Sequence, residues 1–191
     1  MRLLSLRGAG LASLAEPFEI DFTAPPLAGA GLFVIAGPTG AGKSTLLDAI
    51  SLALFDRFPR LEGGEADGAL PGPVEGDLER AGAPAAILTR GRGVAEAALA
   101  FVGADGATYR SEWRVRRARG RAEGRLQPAE MRLVRLGADG AETALGGGRT
   151  ETLAAIRAAL ERIFEQFTRT VLLAQNRFDA FLTAPENDRG E

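Results

Sequence analysis

The sequence predicts an α/β protein in which a mixed β-sheet, built partly from antiparallel hairpins, is flanked by helices. Three observations support this prediction. The short apolar run 32–36 leads through a glycine-rich loop directly into a helical apolar pattern. Two segments with alternating apolar residues, 96–102 and 108–115, are joined through an Asp-Gly dipeptide, which is a strong signal for a hairpin turn. A second helical pattern follows at 150–167.

Length and composition limit the classes of protein to which the chain can belong. Its 191 residues, of which 46% are hydrophobic, suffice for one well-buried domain. The absence of cysteine and histidine excludes disulfides, thiolate metal sites and every Ser-His or Cys-His nucleophile pair. No apolar run approaches the length of a membrane span. We therefore expect a cytoplasmic globular domain without a membrane partner.

Two strands, a buried strand and a helix are predicted in the first third of the chain. Segments 2–7 and 18–22 have strand patterns, and the glycines between them favour a hairpin. A pair of prolines separates this hairpin from the run 32–36, which we expect to be a buried strand. The first helix should begin near Lys43 and end near Phe55. Its apolar face is expected to consist of Leu46, Leu47, Ile50, Ala53 and Leu54.

An acidic segment follows the first helix. Residues 62–79 include six acidic side chains, five glycines and two prolines, and no basic side chain. Such a stretch buries too little apolar area to offset the entropy of ordering it. We expect a mobile, solvated surface loop here rather than a metal site, because the carboxylates show no recognisable ligand spacing.

Strand 108–115 opens a strongly basic stretch. Residues 109–125 include seven arginines and two glutamates, a net charge of +5 on a chain whose total is −2. Tyr109, Trp113 and Val115 alternate with charged residues. The pattern is compatible with contact with the phosphate backbone of DNA, and it is equally typical of a solvated face whose arginines pair with the acidic loop. The candidate DNA-binding residues are Arg110, Arg114, Arg116, Arg117, Arg119 and Arg121.

The last third of the chain is predicted to form another strand and a helix. Segment 130–136 has a strand pattern and is closed by a second Asp-Gly turn at 139–140. Thr150 is expected to cap the next helix. The apolar positions of that helix are Leu153, Ile156, Leu160, Ile163, Phe164 and Phe167.

The glycine-rich loop matches a phosphate-binding motif. Gly37-Pro-Thr-Gly-Ala-Gly-Lys-Ser44 fits the pattern G-x-x-x-x-G-K-[ST] between a predicted strand and a predicted helix. Its glycines allow backbone N–H groups to turn inward, and the positive end of the helix favours an anion. In such loops the lysine reaches the β- and γ-phosphates and the serine hydroxyl binds Mg²⁺. The loop therefore predicts a nucleoside triphosphate site formed by Gly37, Pro38, Thr39, Gly40, Ala41, Gly42, Lys43, Ser44 and Thr45.

Several motifs of the chain occur together in one known family. They are Leu3-Leu-Ser-Leu6, Ile20-Asp-Phe-Thr23, Gly31-Leu-Phe33, Gly37 to Ile50, Pro59-Arg-Leu61, Leu88-Thr-Arg90, Tyr109 with Trp113, Phe167-Thr-Arg-Thr170, Leu172-Leu-Ala-Gln175 and Phe181-Leu182. With them the chain resembles the N-terminal ATPase lobe of the SbcC family of bacterial nuclease subunits, relatives of the SMC-type ATPases. The resemblance implies the N-terminal lobe of an ABC-type P-loop ATPase head that uses ATP and Mg²⁺. It also implies that Lys43 is catalytic and that Gln175, in the Q-loop, is a catalytic residue and a ligand of Mg²⁺ and water.

The same resemblance implies a domain order and partners. One lobe would cover 1–191: strands, phosphate loop and helix to 61, the acidic loop 62–86, antiparallel strands 87–148, and helices with the Q-loop in 149–191, where a coiled coil would begin. The family's acidic catalytic motif and signature motif are not found in this sequence. Hydrolysis should therefore need a C-terminal lobe of the same protein and a second head in a homodimer. The other expected partners are an SbcD-like nuclease and double-stranded DNA, in the nucleoid.

Two other functions remain open from the sequence. A self-sufficient P-loop GTPase or kinase would share the phosphate loop, but the Asn-Lys-x-Asp motif of a GTPase is absent. A non-catalytic DNA-binding or head-interaction module would use the basic hairpin and give the phosphate loop no role. Neither alternative accounts for Gln175 in its family context.

Overall fold

The computed structural model describes residues 1–30, 33–57, 69–71, 78–80, 84–161, 164, 166 and 167. These residues form ten helices and strands: β1 (Arg2–Ala9), β2 (Phe18–Asp21), α1 (Lys43–Phe55), β3 (Ala69–Pro71), β4 (Leu78–Arg80), β5 (Val94–Val102), β6 (Thr108–Arg116), β7 (Glu130–Leu136), β8 (Glu142–Leu145) and α2 (Arg149–Leu160). No helix in these ranges is long and apolar enough to cross a membrane.

Six of the strands form one sheet in the order β2-β1-β5-β6-β7-β8, and every neighbouring pair is antiparallel. Strands β3 and β4 form a separate two-stranded sheet. Helix α1 packs on β5 and β6, and α2 packs on β7 and β8, so the main sheet carries both helices. The α/β class predicted from the sequence is therefore confirmed.

The period-two pattern of β5 and β6 decides which side of the sheet faces the helices. On β6 the side chains of Tyr109, Ser111, Trp113 and Val115 are buried, while the alternate residues are charged and partly or fully exposed. Because successive side chains of a strand point to opposite faces, one face of β6 enters the core and the other carries arginine and glutamate. The predicted hairpin between 96–102 and 108–115 is confirmed.

The Asp-Gly turn of this hairpin is fixed by its aspartate. The Asp105 carboxylate accepts hydrogen bonds from the Tyr109 hydroxyl at 2.7 Å and from the Ala107 N–H at 3.0 Å. These bonds, led by that of Tyr109, lower the pKa of Asp105, and burial raises the pKa of Tyr109. The turn at 139–140 repeats the arrangement, since Asp139 accepts from the Ala141 N–H at 3.0 Å.

The expected buried strand at 32–36 is not present in the part that the structure describes. Residues 33–36 form no strand, and the side chains of Phe33, Val34 and Ile35 are 45%, 83% and 42% exposed. A strand requires a hydrogen-bonding neighbour, and none of the described strands pairs with this segment. Gly31 and Leu32 lie outside the described residues.

Both helices differ in detail from their predictions. Helix α1 has the predicted bounds, but its side chains are buried all round from Asp48 to Phe55 rather than on one face, because β5, β6 and α2 surround it. Helix α2 is capped by Gly148, not by Thr150. The Gly148 carbonyl already accepts the Thr152 N–H at 2.9 Å, so the helix begins before Thr150.

The described parts of the acidic segment form secondary structure, whereas a loop was expected there. Ala69–Pro71 and Leu78–Arg80 pair as antiparallel strands. Backbone pairing does not depend on the low apolar content from which a loop was predicted. The rest of 62–79 lies outside the described residues.

Candidate functional site

The phosphate loop is placed by the first turn of α1. Gly42 is the N-cap of this helix with φ +88° and ψ 9°, and Gly40 has φ +86°. Both lie in the left-handed region, which costs a residue with a Cβ about 1 kcal/mol or more. Within the described part of the chain, no side chain caps the helix start. The first N–H groups of α1 are therefore available to an anion at the loop.

Lys43 folds its side chain back across the loop. Its Nζ donates hydrogen bonds to the carbonyl oxygens of Gly37 and Pro38, each at 2.8 Å. The loop is tightened further by the Ala41 N–H, which donates to the Pro38 carbonyl at 3.2 Å. Lys43 is also the only lysine in the chain. The single ammonium side chain of the protein thus lies at the predicted phosphate position.

A cleft of about 320 Å³ opens beside the loop and contains most of the predicted contact residues. It is lined by Ser13, Thr39, Gly40, Gly42, Lys43, Ser44 and Thr45. These described residues offer one cation, several hydroxyl groups and no carboxylate. This donor set fits phosphate oxygens, and the Ser44 hydroxyl is an oxygen ligand of the kind that Mg²⁺ accepts. No cluster of three or more His, Cys, Asp or Glu side chains with metal-binding geometry occurs among the residues that the structure describes.

Ser13 is the lining residue that the sequence did not predict. It lies in a tight turn in which the Leu11 and Leu14 backbones exchange hydrogen bonds of 2.9 and 2.7 Å. The Ala12 N–H donates to the Ile87 carbonyl at 2.7 Å, so a segment distant in the sequence also holds this turn in place. No motif spacing links Ser13 to the loop, because the contact arises only when β1 and α1 come together. Gln175, the other predicted ligand, lies outside the described residues.

The turn with Ser13 packs directly on the helix cap. A Cβ on Gly42 would lie 2.6 Å from Cδ2 of Leu14, whereas a Cβ on Gly40 would meet no described atom within 4 Å. The two glycines have nearly the same φ, so they differ mainly in the space around them.

We therefore expect Gly42→Ala to lower the free energy of unfolding by about 2 kcal/mol and Gly40→Ala by about 1 kcal/mol. The first value combines backbone strain with displacement of Leu14, while the second contains the strain alone. Gly42→Ala should also weaken nucleotide binding more than Gly40→Ala. Displacing Leu14 also shifts the adjacent residue Ser13, which lines the cleft. Urea unfolding and calorimetry measure both effects. Equal losses in the two variants would contradict the packing against Leu14.

The far end of α1 is held by a buried carboxylate. Asp56, which is 2% exposed, follows the helix with φ +53°. Its Oδ1 accepts a hydrogen bond from the Trp113 indole N–H, and its Oδ2 accepts one from the Arg149 guanidinium. The Ser111 hydroxyl donates to the Ala53 carbonyl at 2.6 Å. Helix α1 is thus joined to β6 and to the start of α2.

The six candidate DNA-binding arginines fall into three groups. Arg110, Arg114 and Arg116 lie on the charged face of β6 and form ion pairs with glutamates on β6 itself and on β5, β7 and β8. Arg117 is only 8% exposed, and its Nη1 donates to the Gly124 carbonyl at 3.2 Å. Arg119 and Arg121 are exposed on the loop that follows β6.

Comparison with known proteins identifies similar chains. A family model described as "AAA domain" matches residues 5–191. The SbcC subunit of the SbcCD nuclease from Rhodobacter capsulatus is 46% identical over 190 residues, covering 99% of this chain, and that from Pseudomonas aeruginosa is 45% identical over 193 residues, covering 100%. The "Probable DNA double-strand break repair Rad50 ATPase" of Aquifex aeolicus is 31% identical over 95% of this chain. The chain spans 15% of the length of each of these relatives.

A solved structure has the same fold. It comes from work on the "Structural biochemistry of ATP-driven dimerization and DNA stimulated activation of SMC ATPases" and superposes with a TM-score of 0.53, covering 99% of this chain and 95% of its own. The sequence identity is 18%, so this similarity concerns the fold alone.

Proposed function

Because the chain belongs to the AAA domain family, and its resemblance to the SbcC family is confirmed by alignments along the whole chain, we propose that it is the ATP-binding half of an ATPase head in DNA repair. The observation that carries the proposal is the placement of Lys43 within a glycine-rich loop at the uncapped start of a helix. The ammonium group, the backbone N–H groups and the hydroxyl groups at this loop are the kinds of group that bind a triphosphate and its Mg²⁺.

Binding exchanges the partners of Lys43. Its ammonium group leaves the carbonyl oxygens of Gly37 and Pro38 for the β- and γ-phosphate oxygens, which carry more negative charge. The loop N–H groups and the start of α1 hold the remaining phosphate oxygens. Ser44 would hold Mg²⁺, with Gln175 as a further ligand. The ion would neutralise part of the charge on the phosphates. Thr39, Thr45 and Ser13 offer hydroxyl groups at the rim of the cleft.

Hydrolysis is proposed to need groups beyond those that line the described part of the cleft. The described lining contains no carboxylate to activate a water molecule. The relatives are several times longer than this chain, which leaves room for a C-terminal lobe. The exposed apolar side chains of Phe33, Val34 and Ile35 are a surface that such a lobe would cover. A second head would complete the site in a homodimer.

The wider assembly is proposed from the relatives' names. Relatives that are SbcC subunits of an SbcCD nuclease imply an SbcD-like nuclease as partner, whose action on double-stranded DNA the ATPase head would control. The nucleoid of the cytoplasm is where such a complex would act.

The single lysine provides a direct test. An amine-acylating reagent can modify only Lys43 Nζ and the chain's α-amino group, so mass spectrometry of the two peptides gives a signal and an internal control. We expect MgATP, but not AMP, to slow acylation of Lys43 while leaving the α-amine unaffected. We also expect negligible steady-state hydrolysis by this chain.

Two outcomes would count against the proposal. Identical Lys43 acylation with and without saturating MgATP would refute the nucleotide site. Rapid hydrolysis that Lys43→Ala abolishes would keep the site but refute the need for a further lobe.

A further inference from the structure

The charged face of the main sheet is electrically balanced. Five arginines and five glutamates alternate across its strands and pair with one another: Arg7, Arg110, Arg114, Arg116 and Arg132 with Glu19, Glu96, Glu112, Glu130 and Glu142. The register explains the pattern, since Glu96 lies opposite Arg114 and Glu112 lies opposite Arg132. Opposite charges placed across strands attract one another and leave little net potential for a polyanion.

Arg110 is bound by two carboxylates of this charged face. Its guanidinium donates to Glu112 Oε1 at 2.7 Å and to Glu142 Oε1 at 2.8 Å. Burial acts to lower the pKa of Arg110, but the hydrogen bonds to the two glutamates outweigh it and the pKa is raised. A phosphate that recruited Arg110 would have to displace two carboxylates.

The segment that joins β6 to β7 is built differently. We call residues 117–126 the arginine loop. It is closed by an isolated bridge between Arg117 and Leu126, and the Ala118 N–H donates to the Arg125 carbonyl at 2.8 Å. The Gly124 N–H donates to the Arg121 carbonyl at 2.9 Å. The buried Arg117 side chain holds the Gly124 carbonyl from inside.

Close backbone packing fixes the arginine loop on the sheet. A Cβ on Gly93, just before β5, would lie 1.9 Å from the Gly120 carbonyl oxygen, so the loop backbone rests directly on that of Gly93. A Cβ on Gly124 would lie 2.3 Å from the Ala118 carbonyl oxygen. The loop therefore has a fixed backbone that needs little further ordering when its side chains bind.

Three arginines project from this loop into solvent. Arg119, Arg121 and Arg125 are exposed, and none of them has a carboxylate partner in the described part of the chain. One acidic side chain, Glu123, lies among them and is itself exposed. Guanidinium groups without carboxylate partners can donate two hydrogen bonds each to phosphate oxygens.

We propose that the arginine loop, rather than the charged face of the sheet, binds the phosphate backbone of double-stranded DNA through Arg119, Arg121 and Arg125. The choice of DNA as the polyanion rests on the proposed function. Arg117 then serves as an internal support for the loop, and Arg110, Arg114 and Arg116 stabilise the sheet. Since phosphate contacts carry no base information, binding is independent of sequence and depends steeply on salt.

The test compares two variants that each remove three positive charges. The loop variant carries Arg119→Gln, Arg121→Gln and Arg125→Gln, and the matched control carries Arg114→Gln, Arg116→Gln and Arg132→Gln on the sheet. Fluorescence anisotropy of a labelled blunt duplex is followed over a series of salt concentrations, without nucleotide. Circular dichroism melting verifies that both variants fold.

We expect the loop variant to lose about tenfold or more in affinity and to reduce the slope of log K against log salt by about 2.7, since each phosphate contact contributes about 0.9. The control should keep the wild-type slope. Equal losses in both variants would show that net charge alone governs binding and would overturn the proposal, as would a larger loss in the control or tighter binding of duplex RNA.

The outcome is separable from that of the nucleotide site. If the unaltered chain shows no salt-dependent binding of duplex DNA, the role of the arginine loop is refuted. Protection of Lys43 by MgATP in the same preparation would then still uphold the nucleotide-binding part of the proposed function.

Discussion

Lys43→Ala is expected to weaken the binding of MgATP by between about tenfold and a hundredfold, because a charge-assisted hydrogen bond to phosphate, worth about 1.5–3 kcal/mol, is lost. The folded chain should hardly be destabilised, since the lysine contacts only two loop carbonyl oxygens of Gly37 and Pro38, which water can reach. Isothermal titration calorimetry measures the affinity and urea unfolding measures the stability.

Two further variants separate charge from geometry. Lys43→Arg keeps the positive charge but replaces a compact ammonium group by a planar fork, so binding should remain weak. Arg114→Ala removes a cation from the charged face of the sheet and should leave the affinity for MgATP unchanged. A Lys43→Ala protein that binds MgATP as tightly as the unaltered chain would contradict the assignment of the loop.

Asp56→Ala is expected to lower the free energy of unfolding by about 3 kcal/mol, because it leaves the buried Trp113 indole N–H without an acceptor and the Arg149 guanidinium without its ion pair. Trp113 is 0% exposed, so in the intact chain its indole N–H makes no contact with bulk water. The measurement is equilibrium unfolding in urea, followed by far-ultraviolet circular dichroism.

The neighbours of Asp56 supply the controls. Arg149→Ala leaves the Asp56 carboxylate bonded to the indole N–H. Because both residues line one open cleft, truncating the 56% exposed Arg149 side chain also lets water reach that carboxylate, so the cost should be smaller. Asp56→Asn keeps an acceptor for the indole N–H while removing the charge, and its cost should lie between the two. A loss below about 1 kcal/mol in Asp56→Ala would contradict the role of this carboxylate.

Local patterns predicted much of the fold. Helix α1, strand β7 and the hairpin of β5 and β6 follow from apolar periodicity and Asp-Gly turns, which depend on residues close together in the chain. The cap of α2 was predicted too late in the chain, because Gly148 begins the helix without a side-chain cap while Thr150 carries the residue type usual for one.

Features that depend on distant partners were not predictable in this way. Residues 33–36 have the composition of a buried strand, but a strand exists only beside a neighbour. Ser13 reaches the cleft beside the phosphate loop because the turn around Leu14 packs on Gly42, a contact that no sequence spacing indicates. The balance of charge on the sheet likewise appears only once the strand register sets glutamates beside arginines.

Trp113 gives the molecule an optical reporter of its own. It is the only tryptophan in the chain, so fluorescence excited at wavelengths that only tryptophan absorbs comes from this one indole. The Trp113 indole donates its hydrogen bond to the Asp56 carboxylate, which follows the last residue of α1. Lys43 is the first residue of the same helix. Any movement of this helix on nucleotide binding changes the field or the hydrogen bond felt by the indole. We therefore expect that the wavelength and intensity of the Trp113 emission, without a label, follow a titration with ATP.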